Sequence, residues 1–135
     1  MTFPKLRSVL VLVISIMALG CGGADAGTPA VKELAQEEFL SNPPDGVLIL
    51  DVRTPGEFSS GHVPNALNIP HGELASRLVE LDSEMDRPIV VYCKSGTRAG
   101  KAASVLLEGG YTEIFHLEGD MMAWSANGLP TEFAE

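Results

Sequence analysis

Cys93-Lys94-Ser95-Gly96-Thr97-Arg98 gathers a thiol, two hydroxyls, a glycine and two cations into six consecutive positions. A thiol reacts as the thiolate. A short polar loop that leads into a helix offers backbone N–H groups and a helix N-terminus to such an anion. Lys94 and Arg98 add positive charge on either side. This pattern points to a cysteine nucleophile that carries an anionic group while the loop holds it. A second cluster, Asp51-Val52-Arg53, closes the apolar run Val47-Leu48-Ile49-Leu50. Two readings are open for each of its charged residues. Asp51 either supports the site or caps the next helical turn, and Arg53 either supports the site or pairs on the surface with Glu57, four residues on.

The elements that must position these residues can be read from the apolar pattern. Ile89 to Tyr92 is a short run of β-branched and aromatic residues, as in a buried strand. Ala99 to Leu107 reads as a helix, with Thr97 as its cap and Gly109-Gly110 as its stop. Val31–Leu34 reads as an edge strand, Gln36–Ser41 as a short helix and Asn42 to Gly46 as a turn. Val47–Leu50 reads as a strand buried on both faces. Thr54-Pro55 opens a short helix through Phe58. Leu67–Pro70 is a short strand. Glu73 to Leu81 reads as one amphipathic helix, with Leu74, Leu78 and Leu81 spaced four and three apart. Glu113–Leu117 is the last strand, and Gly119 leads into a helix holding Met121, Met122 and Trp124, with Trp124 in the core. Strands alternating with helices predict an α/β domain with a mainly parallel central sheet and helices on both faces. Ligands of such sheets sit beyond the carboxyl ends of the strands, where both polar clusters lie.

The charge balance excludes some partners. The 135 residues carry nine basic and eighteen acidic side chains, a net charge of −9. Without Lys5 and Arg7 it is −11, so no nucleic-acid partner is expected. Four of the seven remaining cations, Arg53, Lys94, Arg98 and Lys101, fall in or next to the two clusters. That makes a local anion site in an acidic body.

The N-terminus reads as an export signal over residues 1–20. Lys5 and Arg7 precede an apolar run from Val9 to Leu19, too short for the ~20 apolar residues of a membrane span. Cys21 follows Ala18-Leu19-Gly20. The stretch is similar to a bacterial lipoprotein signal, which implies lipidation of Cys21 and a mature protein anchored to a membrane on the periplasmic or cell-surface side. It departs from the usual pattern in having Ala18 where leucine is commoner. Residues 21–30, rich in glycine and alanine, then form a flexible tether, and residues 31–135 the folded domain. If Cys21 carries lipid, Cys93 has no disulfide partner in the mature chain. With ordinary secretion a Cys21–Cys93 disulfide is open, although a mobile tether suits it poorly.

From Val31 to Pro130 the chain closely resembles the single-domain rhodanese (sulfurtransferase) family. The resemblance rests on segments in the family's order: Asp51-Val52-Arg53, Glu57-Phe58, Gly61-His62-Val63-Pro64-Asn65-Ala66 with Asn68-Ile69-Pro70, Val90-Val91-Tyr92-Cys93 with Gly96-Thr97-Arg98, Leu117-Glu118-Gly119 with Trp124, and Gly128-Leu129-Pro130. It implies a rhodanese fold and a two-step cycle through a persulfide on Cys93. Sulfur would come from a small anionic donor such as thiosulfate and leave to cyanide or a thiol. The backbone N–H groups of Lys94, Ser95, Gly96, Thr97 and Arg98 would cradle the persulfide, Arg98 would close the loop, and Asp51 and Arg53 would support the site. No metal or organic cofactor is implied. His62, His71 and His116 show no ligand spacing, and His62 reads as structural. Four residues separate Cys93 from Arg98, whereas phosphatases and arsenate reductases on related folds have five, a roomier cradle for a tetrahedral oxyanion. Spacing therefore favours sulfur over phosphate. A sulfur-carrier module served by a dedicated protein partner, with little thiosulfate turnover, is the alternative. One departure bears on the donor. Gly119-Asp120 stands where the family often has two glycines, and a carboxylate facing the site would weaken binding of a dianion, against the pull of Lys94.

Overall fold

A computed structural model describes residues 30–81 and 85–135. The expected leader, Cys21 and the tether through Pro29 lie outside the described residues. Five strands form one sheet: β1 (Val31–Leu34), β2 (Leu48–Asp51), β3 (Leu67–Asn68), β4 (Ile89–Tyr92) and β5 (Ile114–Leu117). Their spatial order is β1-β5-β4-β2-β3, and every pairing is parallel. The helices are α1 (Gln36–Ser41), α2 (Pro55–Ser59), α3 (Leu74–Arg77), α4 (Thr97–Glu108) and α5 (Asp120–Ala126).

The central strand β4 explains the layering. All four of its residues are fully buried, and successive side chains point to opposite faces. Ile89 and Val91 pack with Leu74, Leu81 and the α4 stripe Ala99, Ala102, Ala103 and Leu106. Those four α4 positions are spaced three, one and three apart, one face of a helix. Val90 and Tyr92 pack on the other face with Phe39 of α1 and Met121 and Trp124 of α5. The expected α/β sheet with helices on both faces is therefore present.

Trp124 anchors the second face. It is fully buried, tilts against Phe39 at 6.2 Å between ring centroids, and its indole N–H donates to the Pro130 carbonyl at 2.8 Å. Truncation leaves a cavity and an orphaned carbonyl. Trp124→Ala should cost about 3–5 kcal/mol in a urea melt.

Two local expectations change. The segment from Glu73 to Leu81 is not one helix. It is the four-residue α3 followed by a tighter 3₁₀ turn, Leu78–Glu80. Leu78 and Leu81 still pack against the cluster that holds the α4 stripe, as their spacing predicts, but through a tighter turn. The short strand stops at Asn68 rather than Pro70. The α4 stop matches its glycines: Gly110 has a φ of 96°, its N–H donates to the Leu107 carbonyl, and Tyr111 N–H donates to Leu106. That is a Schellman closure.

The sheet order sets the site. β2 and β4 are neighbours, and Asp51 lies in register with Tyr92. The chain therefore leaves both strands at the same carboxyl edge, which brings Asp51-Val52-Arg53 beside the loop that starts at Cys93.

Candidate active site

Cys93 follows β4 directly and is 1% exposed. The loop curls so that the Gly96 N–H donates to the Cys93 Sγ at 3.0 Å. A donor aimed at sulfur stabilises negative charge on it. Gly96 reaches this geometry with a φ of 105°, a region where side chains are strained. Thr97 does not cap α4, contrary to expectation. It is the first residue of the helix, and Gly96 occupies the cap position with no side-chain bond. The loop must fold back over its own thiol there, which a left-handed glycine allows and a threonine does not.

Both ends of the loop are pinned. At the near end, the Cys93 and Lys94 carbonyls accept from the N–H groups of Met121 and Met122 at 3.0 and 3.1 Å. These are first-turn donors of α5 that no helical carbonyl can satisfy. At the far end, Arg98 forms a fork on the Glu57 carboxylate at 2.7 and 3.0 Å. The same carboxylate accepts from the Thr54 N–H and hydroxyl, which completes the capping box of α2. Arg98 pulls the Glu57 carboxyl down to about 2, against the effect of burial and with help from Thr54. Its folded value lies below its unfolded one. The stability from this pair is therefore complete above about pH 4.5 and is lost as pH falls towards 2. The melting-temperature gap between wild type and Arg98→Met should narrow over that acid range.

Asp51 and Arg53 form a buried unit rather than a helix cap and a surface pair. Thr54 caps α2 instead. The Asp51 carboxylate, fully buried, accepts from the Arg53 backbone N–H at 2.9 Å, from its guanidinium at 2.6 Å and from the Tyr92 hydroxyl at 2.7 Å. Arg53, 6% exposed, also donates to the Gly61 carbonyl at 2.8 Å, and the Tyr92 oxygen accepts from the Val63 N–H at 3.0 Å. Burial first, then the Asp51 charge, pushes the Tyr92 phenol far above its ordinary range. Of the two readings open for Arg53, the surface pair with Glu57 does not form: Arg53 precedes the helix cap and turns to Asp51, while Glu57 turns to Thr54 and Arg98. His62 is buried, stacks on Phe58 at 3.7 Å and bonds the Phe58 carbonyl, a structural role as expected.

Lys94, Ser95 and Thr97 are all exposed. A cleft of about 820 Å³ runs beside Lys94, lined by Arg53, Glu57, Met121, Met122, Leu129 and Phe133 among others. Two of the four clustered cations are thus already matched: Arg53 by Asp51 and Arg98 by Glu57. Asp120 does face the site, and it brings His116, which sequence reasoning left aside. Asp120 Oδ1 accepts from the Cys93 N–H at 2.9 Å, and Asp120 Oδ2 lies 2.9 Å from His116 Nε2. Their four-residue spacing is that of a helical pair, but it runs from the end of β5 across a turn to the start of α5, so no single regular element sets it.

The chain matches the Rhodanese-like domain family over residues 33–127. It belongs to that family. A protein named sulfurtransferase from Allochromatium vinosum is 38% identical over 74% of this chain and 94% of its own length. Thiosulfate sulfurtransferase 16, chloroplastic, of Arabidopsis thaliana is 39% identical over 62% of this chain and 78% of its own. Among solved structures, a rhodanese-related protein from Thermoplasma volcanium superposes with a TM-score of 0.68 at 28% identity, covering 76% of this chain and 99% of that one. This rhodanese domain thus has the family's five-stranded fold, and relatives bearing the name sulfurtransferase support sulfur transfer as its general chemistry.

Proposed function

We propose that the protein is a sulfurtransferase that takes a sulfane sulfur onto Cys93 from a small anionic donor such as thiosulfate and passes it to cyanide or a thiol. The observation that carries the reading is the Gly96 N–H aimed at Cys93 Sγ in a loop fixed at both ends. The Cys93 thiolate attacks the sulfane sulfur of the donor. A new S–S bond forms on Cys93, the donor's S–S bond breaks, and its electron pair leaves on sulfite. The terminal sulfur of the resulting persulfide is again anionic, so the same donors serve both states. An acceptor anion then attacks that sulfur, and the thiolate departs. Purified residues 31–135 should gain the mass of one sulfur atom from thiosulfate and form thiocyanate with cyanide. No sulfur uptake from any of several donors would overturn the reading.

The near-complete burial of Cys93 favours a second reading, a carrier that receives sulfur from a protein partner able to open the loop. A stable persulfide without thiosulfate turnover is its mark. In either case we read Cys21 as the lipidated first residue of an exported protein, tethered outside the cytoplasmic membrane. Metabolic labelling with palmitate should mark wild type and not Cys21→Ser.

A further inference from the structure

Asp120 is held in its place at some cost. Its side chain is 2% exposed, and its φ of 52° lies in the left-handed region that residues other than glycine, asparagine and aspartate rarely adopt. Bonds surround it. Its carboxylate holds the Cys93 N–H and His116 Nε2, and its carbonyl accepts from Gln36 Nε2 at 3.0 Å. A methyl group placed on Gly96 would sit 3.2 Å from Asp120 Oδ2. The carboxylate therefore lies directly against the residue whose N–H holds the sulfur. His116 Nδ1 lies 2.8 Å from Glu33 Oε2, so both ring nitrogens face carboxylates. Ionised carboxylates only accept, and both nitrogens must therefore donate, which makes the ring an imidazolium. The Glu33 side chain is 60% exposed and screened by water, so the buried pair is Asp120 and His116. Its negative end is the nearer to the cradle: the same methyl position on Gly96 lies 3.2 Å from Asp120 Oδ2 and 3.6 Å from the His116 ring.

The opposing charges are weaker. Arg98 and Arg53 are each neutralised by a carboxylate, and Lys94 is exposed to water, where its field is screened. Asp120 is buried, where screening is least. The neighbouring cleft, with Met121, Met122, Leu129 and Phe133 in its lining, offers an organic group somewhere to sit.

Resting on the sulfur-transfer reading of Cys93, we propose that Asp120 is a specificity-determining residue that turns the cradle against doubly charged thiosulfate and towards singly charged sulfane donors with an organic body. Such a donor, an organic thiosulfonate or persulfide, gives its terminal sulfur to the Cys93 thiolate. The leaving sulfinate or thiolate takes the electron pair of the broken S–S bond.

The test compares thiosulfate with methanethiosulfonate, which differs from it by one charge at the same leaving sulfur centre, and with benzenethiosulfonate, which adds an apolar body. Rates are measured on wild type, Asp120→Asn and Asp120→Gly. Asparagine and glycine both accept the left-handed backbone, and the amide oxygen introduced by Asp120→Asn keeps an acceptor for the Cys93 N–H. Wild type should favour methanethiosulfonate over thiosulfate in kcat/KM, and benzenethiosulfonate over both. In both variants the methanethiosulfonate-to-thiosulfate ratio should fall by about tenfold, more than their general activity changes. A ratio within about twofold of wild type in both variants overturns the role of Asp120 while sulfur transfer stands. Failure of the wild type to load sulfur from any of the three donors overturns the sulfur-transfer reading and this one with it.

Discussion

Cys93→Ser should take up no sulfur from any donor and should reduce thiocyanate formation to background. A serine hydroxyl is not ionised at neutral pH and cannot carry a sulfane sulfur as a persulfide, so both half-reactions are lost together. The variant should still fold. The Gly96 N–H keeps an acceptor at position 93, and replacing a buried sulfur by oxygen costs about 1–2 kcal/mol. Intact mass and a urea melt on the same sample separate the two effects. Residual sulfur uptake by a folded Cys93→Ser would move the chemistry to another residue.

The sequence reveals the fold more fully than the site because the fold's signals are local. Val47–Leu50 and Ile89–Tyr92 read as buried strands from their composition, and Thr54-Pro55 and Gly109-Gly110 read as helix ends from their backbone preferences. The break in the helix after Arg77 escaped because the three-residue spacing from Leu78 to Leu81 fits an α-helix and a 3₁₀ turn alike. The site's bonds are long-range. Arg98 meets Glu57 across 41 residues, Tyr92 meets Asp51 across 41, and Cys93 meets Asp120 across 27. Local spacing left a pair between Arg53 and Glu57 open, although a helical spacing does not apply ahead of a cap. What could be read was the inventory: a thiol, its loop, and charges that some fold would have to match. The matching turned a cluster of four cations into a cradle with half of its positive charge, Arg53 and Arg98, already paired. Only the sheet order makes that visible, by setting β2 beside β4.

The buried pair beside the cradle supports the second large effect. Asp51→Ala should destabilise the domain by about 3–5 kcal/mol, because it leaves the Arg53 guanidinium charged and 6% exposed without its partner. The Tyr92 hydroxyl loses its acceptor at the same time. Set against a typical domain stability of ~5–15 kcal/mol, this single change removes a large fraction. The loss belongs to an uncompensated charge rather than to the value of the pair, and a second substitution can show this. Adding Arg53→Met to Asp51→Ala removes the stranded cation and fills its space with an unbranched apolar chain. The double variant should therefore be more stable in urea than Asp51→Ala alone. Additive losses would mean instead that each side chain acts through separate contacts. The network also joins the end of β2 to the Gly61 carbonyl and, through Tyr92, to Val63. These are neighbours of the cleft that Arg53 lines. If Asp51 acts only by holding this frame, the double variant should recover sulfur uptake along with stability. If it recovers stability alone, Asp51 or Arg53 has a direct part in the sulfur cycle.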